Sequence, residues 1–127
     1  MKKTVFAALF CLIAVLFSAA PKAQAVTITG TVPANGKYVI SAATLSITTH
    51  AVLKITFQTL TPGTNLSFCA GSDSQFNAKH CGMMLGISGG GGYTSLSIID
   101  AANLNGMILY VIRDVGSADS KFTITIE

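Results

Sequence analysis

Three stretches of this chain carry residue types that could do chemistry. His80-Cys81-Gly82-Met83-Met84 gathers imidazole, thiol and thioether groups within five residues, the soft donor set that suits copper. Gly86-Ile87-Ser88-Gly89-Gly90 has the G-x-S-x-G spacing of a turn that presents a serine nucleophile. Asp73, Asp114 and Asp119 are carboxylates among turn-forming residues, where calcium could be held together with backbone oxygens.

Each has a plainer reading. The copper cluster loses its thiolate if Cys81 is oxidised. Met83 and Met84 are neighbours on a strand-like segment and point to opposite faces, so one methionine at most joins His80. His80 and Met83 are then the residual metal pair, against solvent for His80 and core packing for one methionine. The serine motif needs a strand, a sharp turn, a helix and a later histidine base. Here glycines and another strand-like segment follow Ser88, and both His50 and His80 precede it. A glycine-rich hairpin loop fits better. Glycine lets a partner approach the backbone closely, which makes Ser88, Gly89 and Gly90, with Tyr93 as an anchor, a candidate binding loop. Calcium wants six to eight oxygens, and no dense D-x-D-x-D pattern occurs; the three aspartates read as turn residues. Asn65-Leu66-Ser67 is a glycosylation sequon with meaning only in a eukaryotic secretory pathway. No P-loop, zinc spacing or dinucleotide fingerprint occurs. No cofactor is implied and nothing argues for an enzyme.

The segment ahead of these groups bears on their compartment. Lys2 and Lys3 precede an unbroken apolar run from Val5 to Phe17, followed by a more polar stretch and Ala23-Gln24-Ala25. That is the order of a cleavable bacterial signal peptide over residues 1–25. A membrane-spanning helix needs about 20 apolar residues, and this run stops short at Pro21 and Lys22. Cys11 lies inside the run after Phe10, which does not fit a lipoprotein site. A soluble mature protein starting at Val26 is expected, secreted or periplasmic, with no membrane anchor after cleavage.

Cleavage would change the electrostatics. Residues 26–127 carry five basic side chains (Lys37, Lys54, Lys79, Arg113, Lys121) and five acidic ones (Asp73, Asp100, Asp114, Asp119, Glu127), so the net charge falls from +3 to zero. Without a basic patch there is no footprint for a phosphate backbone, and nucleic acid is excluded as a partner. A chain of about 100 residues buries roughly 65% of its unfolded surface, enough for one domain. Two cysteines remain, Cys69 and Cys81. In an oxidising compartment they are expected to pair, contributing about 3 kcal/mol by loop closure.

The elements that must position these groups read as strands. Val26 and Ile28 alternate with Thr27 and Thr29, and Pro33-Ala34-Asn35-Gly36 is a turn. Lys37 to Ser41 and Thr44 to Thr48 are short strands. Ala51 to Leu60 is a long one, with Leu53, Ile55 and Phe57 on one side. Leu66 to Cys69 leads into a polar loop, Ala70 to His80. Met83 to Ile87 follows, then a flexible Ser88 to Gly92 link, then Tyr93 to Ile99 with Leu96 and Ile98 facing in. Asp100 to Gly106 is a loop with room for one helical turn. Met107 to Arg113 and Lys121 to Glu127 are the last strands. About eight short strands with turn signals every 8 to 12 residues predict an all-β, two-sheet antiparallel sandwich with a hydroxyl-rich outer face.

Gly106 to Ile126 (GMILYVIRDVGSADSKFTITI) resembles the end of the bacterial pre-peptidase C-terminal domain. Gly30 and Tyr38 sit where that family has its opening glycine and aromatic strand. Asn65-Leu66-Ser67-Phe68 falls where it has an Asp-Leu-aromatic strand, with Asn65 replacing the aspartate. The resemblance implies a jelly-roll-like sandwich, an adhesive or accessory role and no catalytic residue. On these grounds the expected function is a non-enzymatic binding or accessory module that recognises a protein or glycan through loops at one end of the sandwich. A periplasmic inhibitor of a lysozyme or protease comes second, and a copper or calcium protein third. The oligomeric state is left open.

Overall fold

The computed structural model describes residues 26–36, 38–41 and 52–127. The leader segment 1–25, Lys37, the strand expected at Thr44 to Thr48, and His50 lie outside the described residues. Among the described residues eight strands follow in order: β1 (Val26–Val32), β2 (Val39–Ser41), β3 (Val52–Thr59), β4 (Asn65–Gly71), β5 (Met83–Gly89), β6 (Thr94–Asp100), β7 (Ile108–Val115) and β8 (Ser120–Ile126). One helix, α1 (Asp73–Asn77), lies between β4 and β5, and a 3-10 turn, Ala101–Leu104, between β6 and β7.

The strands form two antiparallel sheets, β1-β8-β3-β6 (sheet A) and β2-β7-β4-β5 (sheet B). The first and last strands lie side by side, with Val26 opposite Ile126 and Val32 opposite Ser120. Pairs 1–8 and 3–6 in one sheet with 2–7 and 4–5 in the other make an eight-stranded jelly roll, as expected.

Alternation decides what faces the core. On β8 Phe122, Ile124 and Ile126 are buried, while Lys121, Thr123 and Thr125 point outward. On β3 the buried set is Ile55, Phe57 and Thr59. Sheet B answers with Leu66, Phe68, Ala70, Leu109 and Val111. Phe57 is central: its ring lies 5.9 Å from that of Phe68, tilted, and 6.1 Å from that of Phe122, edge-on. Thr27, Thr29, Thr31, Thr56, Thr123 and Thr125 lie on the outer side of sheet A by the same alternation, the hydroxyl-rich face the composition predicts.

Two expectations are corrected. Leu96 and Ile98 do not face in: they are 57% and 72% exposed, and Ser95, Ser97 and Ile99 take the inner positions. The reason is register. Leu96 lies opposite Thr56 and Ile98 opposite Lys54, on the polar face of β3. A period of two says which residues share a face but not which face is buried. Phe57, opposite Ser95, fills the corner: a Cβ on Gly86 would sit 2.9 Å from Ser95 Oγ and 3.1 Å from Phe57 Cβ. A serine fits there and a leucine would not. The second correction concerns residues 70–80, read as loop. Here β4 runs on to Gly71 and α1 follows, because Ser72 and Gln75 form a capping box. Ser72 Oγ accepts from Gln75 N, and Gln75 Oε1 accepts from Ser72 N at 2.9 Å, which satisfies donors that a first turn leaves open.

Phe57→Ala is expected to lower unfolding stability by about 3–5 kcal/mol, since it removes the ring that joins both sheets. A urea titration followed by circular dichroism reads this as a lower midpoint at unchanged slope.

Candidate functional site

Sheet B is buried on both faces. Cys69, Tyr110 and Ile112 point away from the inter-sheet core yet are 0%, 0% and 8% exposed. They form a second apolar cluster with Tyr38, Phe76, Cys81 and Ile108. The cover is the segment from Ser72 to Gly82. Its return end is tied down by the Cys69–Cys81 disulfide, with Cα atoms 5.4 Å apart. Tyr110 ties it again: its hydroxyl donates to His80 O at 2.5 Å and accepts from Gly82 N at 2.9 Å, so the residues on both sides of Cys81 are held by one phenol.

α1 places Phe76 on this cluster. The Phe76 ring is 5.5 Å from that of Tyr110 and 5.1 Å from that of Tyr38. The helix then ends in a Schellman arrangement: His80 N donates to Gln75 O at 2.9 Å and Lys79 N to Phe76 O at 3.1 Å. This geometry requires a left-handed residue, usually glycine. Lys79 takes it at φ 59°, the sole described non-glycine residue with positive φ.

The facing wall is the β1–β2 turn. Gly36 N donates to Pro33 O at 3.1 Å, with Gly36 at φ 79°. Arg113 clamps this turn from below. Its guanidinium donates to Val32 O (3.1 Å), Pro33 O (2.8 Å), Ala34 O (3.3 Å) and Ala118 O (2.8 Å). Asp119 accepts from Ala34 N at 2.5 Å. Arg113 is thereby spent on the scaffold.

Between helix and turn lies an open cleft of about 330 Å³ lined by Gly36, Tyr38, Phe76, Asn77 and Lys79. Two half-buried aromatic rings form its apolar part. Lys79 brings an ammonium close to the Gly36 backbone: a Cβ there would lie 3.5 Å from Nζ. The Tyr38 hydroxyl oxygen is buried and has no hydrogen-bond partner among the described residues. Burial pushes its phenol above the ordinary value, and the neighbouring Tyr110 adds to this. Buried hydroxyls are nearly always paired; among the described residues Ser95 Oγ is the other buried hydroxyl without a partner, and Arg113 Nε is likewise unpaired. The arrangement can stack a ring, pair an anion and accept or donate at one phenol. Among the described residues it holds no nucleophile and base in contact.

The residues singled out by type and spacing are not brought to this cleft. Ser88 lies within β5, fully buried. Its Oγ accepts from Thr59 N at 3.0 Å and donates to Tyr93 O at 2.5 Å, while Thr59 Oγ1 donates to Ser88 O at 2.9 Å. The motif is strand–turn–strand, without the helix a nucleophile elbow needs, and Ser88 laces β5 to β3. Gly90 donates from N to Thr64 O at 2.7 Å, and a Cβ there would collide with the Thr61 carbonyl. Gly89 packs against Asn65, whose Oδ1 would be 2.8 Å from an added Cβ. Of that loop Tyr93 alone offers a side chain to solvent, 57% exposed. In the soft-ligand cluster Cys81 is in the disulfide, His80 is exposed, and Met83 packs on the inter-sheet core while Met84 faces out. Asp73 sits in the first turn of α1, Asp114 accepts from Ser67 Oγ, and Asp119 holds the β1–β2 turn. Among the described residues no three His, Cys, Asp or Glu side chains converge on a point where a metal could sit. Sequence reasoning missed Tyr38, Phe76 and Lys79. The available signal was Phe76, the one large apolar side chain in an otherwise polar stretch from Ser72 to His80.

Compared with protein-family models, curated proteins and solved structures, the chain matches none of them.

Ser88→Ala is expected to cost about 1–3 kcal/mol, because it strands the Thr59 N–H in a buried corner. Thermal melts check this. A serine that served only a surface loop would leave the melt unchanged.

Proposed function

We propose that this domain is an exported, non-enzymatic binding module that holds an acidic glycan in the cleft between α1 and the β1–β2 turn. The observation that carries the reading is the unpartnered, buried Tyr38 hydroxyl beside Phe76 and the Lys79 ammonium. Aromatic faces stack on the apolar side of a sugar ring, and a lysine ammonium is a point charge suited to a carboxylate or sulfate. The disulfide supports export, since such bonds persist in oxidising compartments, and the sequence over residues 1–25 supports it independently. The resemblance to pre-peptidase C-terminal domains supports an accessory role. The hydrolase-inhibitor reading gains no support from residues 72–82, which lie flat on sheet B and offer no protruding plug.

The lining is not optimal for stability, and that makes the reading testable. Removing an unpartnered hydroxyl leaves nothing unsatisfied, so Tyr38→Phe should melt no lower than the parent. Lys79→Gly relieves a left-handed side chain and should raise stability by about 1 kcal/mol. Affinity electrophoresis in gels containing alginate, with neutral dextran as control, reads the binding. The parent is expected to be retarded by alginate alone, Tyr38→Phe less so, and Lys79→Gly hardly at all. Equal mobility of all three proteins in alginate would end the proposal.

Export has its own check. The protein recovered from outside the cytoplasm of its host is expected to have the mass of Val26 to Glu127 less two hydrogens, and to resist alkylation until reduced. Retention of residues 1–25 would refute cleavage.

A further inference from the structure

Sheet A ends on β6, and among the described residues β6 has a ladder partner on one side alone, β3. Open edges invite pairing, and proteins blunt them with lysine, proline, bulges or brevity. The other edges are blunted. β2 has three residues, β5 is out of register with β4 at Phe68/Cys69, and β1 carries a glycine and three threonines but no large exposed apolar side chain. β6 has none of these protections. Its seven residues contain no lysine, arginine, proline or glycine, and its ladder with β3 runs unbroken from Gln58–Thr94 to Val52–Asp100. Beside the edge, on the outer face, Val52, Leu96 and Ile98 are 68%, 57% and 72% exposed, an apolar strip flanked on β3 by Lys54, which pairs with Glu127 at 3.7 Å, and by Thr56.

The strand is also complementary to itself. Two antiparallel copies of β6 crossing at Ser97 would place Leu96 opposite Ile98 of the second copy, Ser95 opposite Ile99, and Thr94 opposite Asp100. Every pair keeps its face, because partners differ by an even number of positions. Leu96 and Ile98 of both copies, with Val52 close by, would join into one apolar strip. The two Asp100 carboxylates fall at opposite ends, about 20 Å apart at the rise of a strand. Each would face the hydroxyl of the other copy's Thr94, beside Gln58, which pairs with Thr94 across β3–β6. No like charges meet.

We propose that two copies of this domain associate through β6 about a two-fold axis at Ser97, extending sheet A into one eight-stranded sheet across the pair. A closed two-fold interface of this kind uses up the edge and stops there. One strand pair with a short apolar strip is smaller than a standard interface, which places the dissociation constant in the micromolar range.

Light scattering coupled to size exclusion, loaded at about 100 µM, tests it. The disulfide-intact protein is expected to show twice the mass of the chain, and Leu96→Lys/Ile98→Lys the mass of one chain. Those side chains are already exposed, so this variant should keep the parent circular dichroism spectrum and, in dilute samples where the parent too is monomeric, the parent melt. Tyr93→Lys, equally exposed but outside β6, should remain dimeric. Ser97→Cys fixes the register: air oxidation should yield a reductant-sensitive dimer, and Ser95→Cys should not. A monomeric parent at 100 µM overturns the proposal, as does a Leu96→Lys/Ile98→Lys dimer. A dimer that cross-links through Ser95→Cys rather than Ser97→Cys overturns the two-fold placement.

Discussion

Tyr110 is the side chain on which the cleft of this domain rests. It projects from β7 on the side away from the inter-sheet core, where a sandwich normally meets water, and yet it is fully buried. A phenol out of water must both cover its ring and satisfy its hydroxyl. Phe76 and Tyr38 do the first, and His80 O and Gly82 N do the second. The disulfide makes this cover permanent, since Cys69 is inside β4 and Cys81 begins the return to β5. The cleft is therefore a by-product of roofing a sheet that has apolar residues on both sides.

Its two walls are rigid for different reasons. The helix wall is held by covalent closure, a capping box and a Schellman end. The turn wall is held by one guanidinium bonded to four carbonyls, with Asp119 on the Ala34 amide. Between these walls the structure tolerates a left-handed lysine and an unpaired phenol. Strain and unsatisfied groups persist where surrounding structure over-determines them, and they collect at working sites.

Sheet A follows a different logic. Its inner face is filled by Phe57, Phe122, Ile124 and their neighbours, so β6 has little left to bury and contributes serines to the corner. The apolar residues of β6 are turned outward by the ladder with β3. A strand whose pattern looks inward-facing and whose register is outward-facing is a local conflict, and such conflicts are expected at functional or interacting surfaces.

Much of this was legible in the chain. Period-two alternation in VTITGTV, in LKITFQT and in KFTITIE fixes strands, because each side chain on a pleated strand must choose a face. Cys69 and Cys81, the two cysteines of residues 26–127, admit one pairing. Turn chemistry marks Pro33 to Gly36. What local pattern cannot contain is the choice between faces, and the meeting of segments distant in sequence. Leu96 and Ile98 alternate correctly but point outward, since the register with β3 decides it. Ser88 sits in a catalytic-looking motif but serves the scaffold, since Thr59, 29 positions away, supplies its partner. Tyr38, Phe76 and Lys79 line one cleft only because β7 sets Tyr110 on the outer face and the disulfide lays residues 72–82 over it. Local chemistry is written in neighbours along the chain; a cleft is written in neighbours across space, and these exist only once the jelly roll has closed.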